Sequence, residues 1–143
     1  MNIDAIKIAR EKLEFTQQQV SELIGVNRST YSGWENGYDD IPLKHLIKLC
    51  NILKLNIDYI TNIIKQNKEF DKYILNKDVL CKNMKQIRIN NKKKQNEIAS
   101  VLGIFRTSYT RYENGTVMIP TVLLIQFCKY FDTNISTLLN KKP

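Results

Sequence analysis

The sequence predicts an all-α chain made of two tandem five-helix units joined by a mostly helical connector. Three observations lead there. The chain repeats itself at a constant offset of 78 residues: Arg10, Gln17, Gly25, Arg28, Tyr31, Glu35, Asn36, Gly37, Pro42, Cys50, Asn56 and Ile57 recur as Arg88, Gln95, Gly103, Arg106, Tyr109, Glu113, Asn114, Gly115, Pro120, Cys128, Asn134 and Ile135. Only 5 Gly and 3 Pro interrupt the 143 residues, so turns are sparse and helices dominate. Apolar residues fall at helical rather than alternating spacing. Two copies are too few for a stacked solenoid, so each must hold its own core. A 43% hydrophobic content is enough for two small units of roughly 60 residues, near the lower limit for independent folding.

In the first copy, Ile3, Ile6, Ala9, Arg10 and Leu13 recur at helical spacing and give helix one. Thr16 and Gln19 match a capping box, in which each side chain bonds the other's backbone N–H, and open helix two at Gln17. Gly25 ends that helix after Ile24, and Asn27 is an N-cap for helix three, Arg28 to Glu35, only two residues later. Asn36-Gly37 stops helix three. Pro42 precedes helix four, Leu43 to Leu53, where its missing N–H costs nothing, and Asn56 caps a short fifth helix. The second copy repeats the plan through Gln95 to Leu102, Gly103, Arg106 to Glu113, Asn114-Gly115, Pro120, Thr121 to Phe131, and Asn134 capping Ile135 to Leu139. Lys93 and Lys94 replace Phe15 and Thr16, so a cap and an apolar anchor give way to the run Lys92-Lys93-Lys94. The expected domains are 1–64 and 82–143. The connector, 65–81, is expected to be mostly helical and to carry an apolar stripe through Phe70, Tyr73 and Ile74.

The net charge of +8 is unevenly placed: residues 1–66 carry equal numbers of basic and acidic groups, so the whole excess falls in 67–143. An excess of that kind points to nucleic acid or an anionic surface, or to lysines that only confer solubility. Cys50, Cys81 and Cys128 form no CxxC pair and His45 is the only histidine, so neither a metal site nor any other cofactor is expected. Buried, reduced cysteines behave as small hydrophobes, which suits a reducing compartment. No signal-peptide core opens the chain and no apolar run approaches the roughly 18 residues of a membrane span, so a soluble cytoplasmic protein with no membrane partner is expected.

The string Thr16-Gln17, Gly25-Val26, Ser29-Thr30-Tyr31, Trp34-Glu35-Asn36-Gly37, Pro42 resembles the phage-repressor-like helix-turn-helix family, of the Cro and xenobiotic-response-element type. The likeness covers roughly residues 4–61 and 82–139. It implies a lambda-repressor-like fold whose third helix lies in the major groove of double-stranded DNA. By that resemblance Arg28, Ser29 and Gly33 in copy one, and Arg106, Thr107 and Arg111 in copy two, stand at base-reading positions. Arginine suits the task because its fork bonds guanine O6 and N7 together. Gly33 has no side chain to read with. The resemblance assigns Gln17, Gln95, Asn36 and Asn114 to the phosphate backbone, where Lys92, Lys93 and Lys94 add positive charge; as residue types the glutamines and asparagines are equally what simple helix ends carry. It also implies two internal salt bridges, Arg10–Glu35 and Arg88–Glu113; Tyr31, Trp34, Tyr109 and Tyr112 fall at helical spacing on the third helices, which makes them packing groups rather than base-stacking platforms.

The expected function is a DNA-binding transcriptional regulator, a repressor acting by occupancy and associated with the nucleoid. One chain would cover two half-sites about 34 Å apart, or a homodimer a longer operator. Copy two, with Arg111 and the lysine run, is expected to carry most DNA affinity; copy one has Gly33 and the acidic Tyr38-Asp39-Asp40 loop. The chain is taken up by the two modules, which leaves no separate small-molecule domain and points to control by concentration or by a regulatory protein partner. The competing reading is a protein-interaction factor, an antitoxin or antirepressor partner in which copy one no longer reads DNA. An enzyme is the third: one histidine, no paired carboxylates at pocket-like spacing and no Gly-rich phosphate loop leave catalysis little to use.

Overall fold

The computed structural model describes residues 1–140; the last three positions of the expected C-terminal domain, 141–143, lie outside the described residues. It divides into two compact units, Met1–Tyr73 and a second that begins at Ile74. Among the described residues all regular structure is helical.

The first unit contains α1 (Ile3–Lys12), α2 (Gln17–Ile24), α3 (Arg28–Glu35), α4 (Leu43–Leu53) and α5 (Ile57–Ile60). Thr16 and Gln19 close both halves of the capping box on α2, with Gln19 N donating to Thr16 Oγ1 at 3.1 Å and Thr16 N to Gln19 Oε1 at 2.9 Å. Gly25 takes the left-handed conformation, φ +91°, that lets α2 end and the chain turn within three residues into α3. α1 packs on α3, α4 and α5, and α2 packs on α3 and α4. Ile6, Val20, Ile24, Tyr31, Leu46, Leu49, Cys50, Ile57 and Ile60 form the core. Burying a side chain of this size is worth about 1.5–3 kcal/mol each, before the entropy of ordering it is set against that gain.

The second unit contains α6 (Lys77–Asn90), α7 (Gln95–Leu102), α8 (Arg106–Asn114), α9 (Thr121–Tyr130) and α10 (Ile135–Leu139). Leu80, Met84, Ile98, Leu102, Tyr109, Leu124, Phe127, Cys128, Ile135 and Leu138 are its core. The repeat extends to backbone strain. Glu14 and Lys92, 78 positions apart, both take positive φ, 61° and 56°, and so do Lys54 and Asp132, 55° and 52°. At α7 the lysine ammonium of Lys94 has no lone pair to offer as a cap, but the reciprocal half of the box survives, Lys94 N donating to Glu97 Oε1 at 3.0 Å.

The connector corrects the expectation of a mostly helical segment. Helix starts only at Lys77, and residues 67–76 are without helix, those up to Tyr73 belonging to the first unit. Asn51 on α4 explains this, because its amide grips both backbone groups of one residue: Nδ2 donates to Tyr73 O at 2.9 Å, and Tyr73 N donates to Oδ1 at 2.9 Å. The Tyr73 ring is buried, and its hydroxyl accepts from Ile57 N at the start of α5 at 3.0 Å. Backbone groups committed to a side chain are lost to an α-helical ladder. Phe70 meets Tyr73 edge-on, whereas Ile74 is 71% exposed and belongs to no apolar stripe.

Candidate nucleic-acid interface

In each unit one arginine of the first helix ties three elements together. Arg10 on α1 donates through Nε to Glu35 Oε2 at 2.9 Å, through Nη2 to Glu35 Oε1 at 2.7 Å, and through Nη1 to Phe15 O at 2.8 Å. Arg88 repeats this on Glu113 at 2.9 and 2.7 Å and on Lys93 O at 2.8 Å. The last turn of α1 or α6, the turn that follows it, and the end of α3 or α8 are therefore held in one geometry. Burial, the largest single influence, would raise the Glu35 carboxyl, but the hydrogen bonds from Arg10 and Gln17, the neighbouring Tyr31 hydroxyl and the Arg10 charge together outweigh it and hold the pKa below its ordinary 4.5; Glu113 behaves alike among Arg88, Tyr109 and Gln95. The Tyr31 and Tyr109 hydroxyls are buried beside these carboxylates, and burial first, then the negative charge, pushes both far above the usual phenol range.

Gln17 and Gln95 face the same clusters. Gln17 Nε2 donates to Glu35 Oε1 at 3.3 Å and Gln95 Nε2 to Glu113 Oε1 at 3.2 Å, while Thr110 Oγ1 donates to Gln95 Oε1 at 2.8 Å. Their positions at the first turn of α2 and α7 thus coincide with a structural duty that residue type alone did not reveal. Asn36 and Asn114 are exposed at the ends of α3 and α8. Asn36 Nδ2 bonds Ser32 Oγ at 3.2 Å, and Asn114 Oδ1 accepts from Thr116 N at 3.0 Å.

Arg28 and Arg106 open α3 and α8 and are exposed. Arg28 lines a groove of about 950 Å³ with Lys7, Glu14, Gln17, Gln18 and Asn36; Arg106 lines one of about 410 Å³ with Arg88, Lys94, Gln95 and Asn96. Ser29 is exposed but donates to Asn27 Oδ1 at 2.8 Å within the local cap. Thr107, Arg111, Lys92 and Lys94 are exposed and Lys93 is half-buried. In both units the arginine that opens the third helix and the first turn of the second helix line one open groove.

The two surfaces differ in charge. Tyr38 N donates to Gly33 O at 2.8 Å and turns the loop back over α3, so that a Cβ placed on Gly33 would lie 2.7 Å from Asp39 Oδ2. Thr116 N donates to Arg111 O at 3.0 Å in the matching turn, but Arg111 stands where Gly33 does and Val117 where Asp39 does. A carboxylate in one unit thus faces the place of a guanidinium in the other. The caps differ too. Asn27 Oδ1 accepts from Thr30 N at 2.8 Å, whereas its counterpart Phe105 makes no cap and is 82% exposed.

Two five-helix units, each with its second and third helices joined across a left-handed glycine, define a tandem helix-turn-helix protein. Family models described as helix-turn-helix match residues 6–60 and 82–142, together most of the chain, which belongs to the helix-turn-helix family. It is 28% identical over 74 residues to the HTH-type transcriptional regulator ImmR of Bacillus subtilis, covering 52% of this chain and 58% of that one. It is 40% identical over 56 residues to the antitoxin PezA of Streptococcus pneumoniae, covering 39% and 35%. It is 32% identical over 90 residues to the type II methyltransferase M.MspI of Moraxella, covering 61% of this chain but 21% of the enzyme. The chain thus spans little more than half the length of the regulator it matches. No solved structure matches it. Among the described residues no helix is long and apolar enough to cross a membrane.

Proposed function

We propose that this chain is a sequence-specific DNA-binding transcriptional regulator that represses by occupying its operator, with helices 28–35 and 106–113 entering the major groove. The observation that carries the reading is the recurrence, in both units, of an exposed arginine opening the third helix while a second arginine, bonded to the glutamate at that helix's far end, sets its angle. A rigid recognition helix with a free guanidinium at its N-terminus is the arrangement that reads base edges. Arg28, Ser29, Arg106, Thr107 and Arg111 take the base-reading roles. Lys92, Lys93, Lys94, Asn36 and Asn114 take phosphate contacts, with Gln17 and Gln95 contributing from the first turn of their helices. A protein that reads DNA works where the DNA is, in the cytoplasm at the nucleoid. A homodimer would extend the operator.

Copy two carries most of the affinity. Asp39 over Gly33 places negative charge on the reading face of copy one, while Arg111, Lys92 and Lys94 add positive charge to copy two. That same carboxylate, together with the likeness to an antitoxin, supports the second reading, in which copy one engages a protein partner. An enzymatic role draws no support from a likeness that covers a fifth of a methyltransferase.

Selection of bound sites from a random duplex pool at near-physiological salt, with the native chain, Arg28→Ala and Arg106→Ala in parallel, tests the reading. A defined motif that loses a half-site most strongly with Arg106→Ala is expected. Binding without a motif, sensitive only to salt, moves the partner-protein reading to first place.

A further inference from the structure

Position 105 is anomalous within the repeat. Every side-chain N-cap has a thermodynamic reason to stay, because its oxygen satisfies an otherwise unpaired backbone N–H. Copy one obeys this at Asn27 and Asn56, and copy two at Asn76 and Asn134. At α8, the recognition helix of copy two, the cap is replaced by a phenylalanine that gives up the hydrogen bond and leaves its ring 82% exposed. Folding gains nothing from the exchange. Phe105 directly precedes Arg106, which lines a groove with Arg88, Lys94, Gln95 and Asn96. A cationic setting favours a polyanion over a basic protein as the group that covers the ring. On the major-groove edge of DNA the apolar feature offered to a side chain is the thymine 5-methyl group, and phenylalanine is one of the residues that pack against it.

We propose that Phe105 is a specificity-determining residue that packs on a thymine methyl in the major groove, adjacent to the base pair read by Arg106. This rests on the DNA-reading role of α8 proposed above. In copy one Asn27 is turned back onto its own helix, accepting from Thr30 N and from Ser29 Oγ. The two units would then differ in their half-sites: thymine adjacent to the arginine-read base is required by copy two and indifferent to copy one.

The test replaces each thymine of the selected site, one at a time, by deoxyuridine, which removes only the methyl group. Affinities are measured for the native chain and for Phe105→Asn, with thermal melting as the fold control. Restoring the residue of copy one returns a cap, so the variant is expected to melt no lower than the native chain. The native chain should lose about four-fold at one thymine of the half-site that Arg106→Ala abolishes, the worth of one methyl group kept from water. Phe105→Asn should show no loss there while still preferring the selected site to a scrambled one. A uracil penalty equal in both proteins, or none at any thymine, overturns the role of Phe105 and leaves the regulator reading standing. Failure of the native chain to select any site overturns both.

Discussion

The Arg88 guanidinium holds the Glu113 carboxylate in the two bonds, 2.9 and 2.7 Å, that Arg10 makes to Glu35 78 positions earlier, and in each unit the third arm of the fork reaches a backbone carbonyl five residues on. Glu35 and Glu113 are 5% exposed. A pair so deeply placed adds little net stability, but either half left alone is a buried charge without a partner.

Arg10→Ala and Arg88→Ala should therefore each cost about 3–5 kcal/mol in the unit that carries them. Urea titrations followed by far-UV circular dichroism would read this as an early transition confined to one half of the helical signal. A uniform loss of less than about 1 kcal/mol would mean the pair is no more than a surface contact.

The same carboxylates set the acid limit. Their pKa is lower in the folded protein than the ordinary 4.5. Such a group contributes stability that is fully present above the unfolded value and is lost as the pH falls through the folded one. Stability measured by denaturant midpoint should therefore decline as the pH drops below 4.5, and Glu35→Gln with Glu113→Gln should flatten that decline while lowering stability at neutral pH.

Two glycines should answer alanine with opposite signs. Gly33 lies inside α3, where alanine is the better helix former by about 1 kcal/mol, and the atom its Cβ would meet belongs to the exposed Asp39 side chain, which can swing away. Gly33→Ala should stabilise by about 0.5–1 kcal/mol. Gly25 meets nothing within 4 Å, yet its φ of +91° strains any side chain, so Gly25→Ala should destabilise by about 1–2 kcal/mol. Melting temperatures moving in the same direction would contradict the assignment of the two conformations.

Salt dependence separates phosphate contacts from base contacts. If Lys92 and Lys94 each neutralise a phosphate, alanine at either should lower the slope of log K against log salt by about 1 and weaken all sequences alike. Arg106→Ala should instead reduce the preference for the selected site, leaving binding to random duplex largely intact. Fluorescence anisotropy across a salt series would distinguish them.

Much of this protein is written locally. Capping residues at Thr16, Asn27, Asn56 and Asn134, stops at Gly25 and Gly103, and apolar periodicity act within a few residues of chain, so the sequence by itself determined where nearly every helix lies and that there are two similar units. The exposed arginines at 28 and 106 were likewise visible through the repeat. Contacts between residues distant in sequence were decided only by the tertiary structure. Asn51 takes both backbone groups of Tyr73, 22 residues away, and so overrides a segment that composition alone would have made helical. Asp39 comes over Gly33 because of a loop hydrogen bond, and the glutamines at 17 and 95 turn toward carboxylates 18 residues on. Phe105 lay in plain view as an asparagine lost from the repeat, but its exposure depends on what packs around it, and no short-range pattern encodes that. Local propensity follows from neighbouring dihedrals and caps; a side chain's partner across the fold follows from how helices settle against one another.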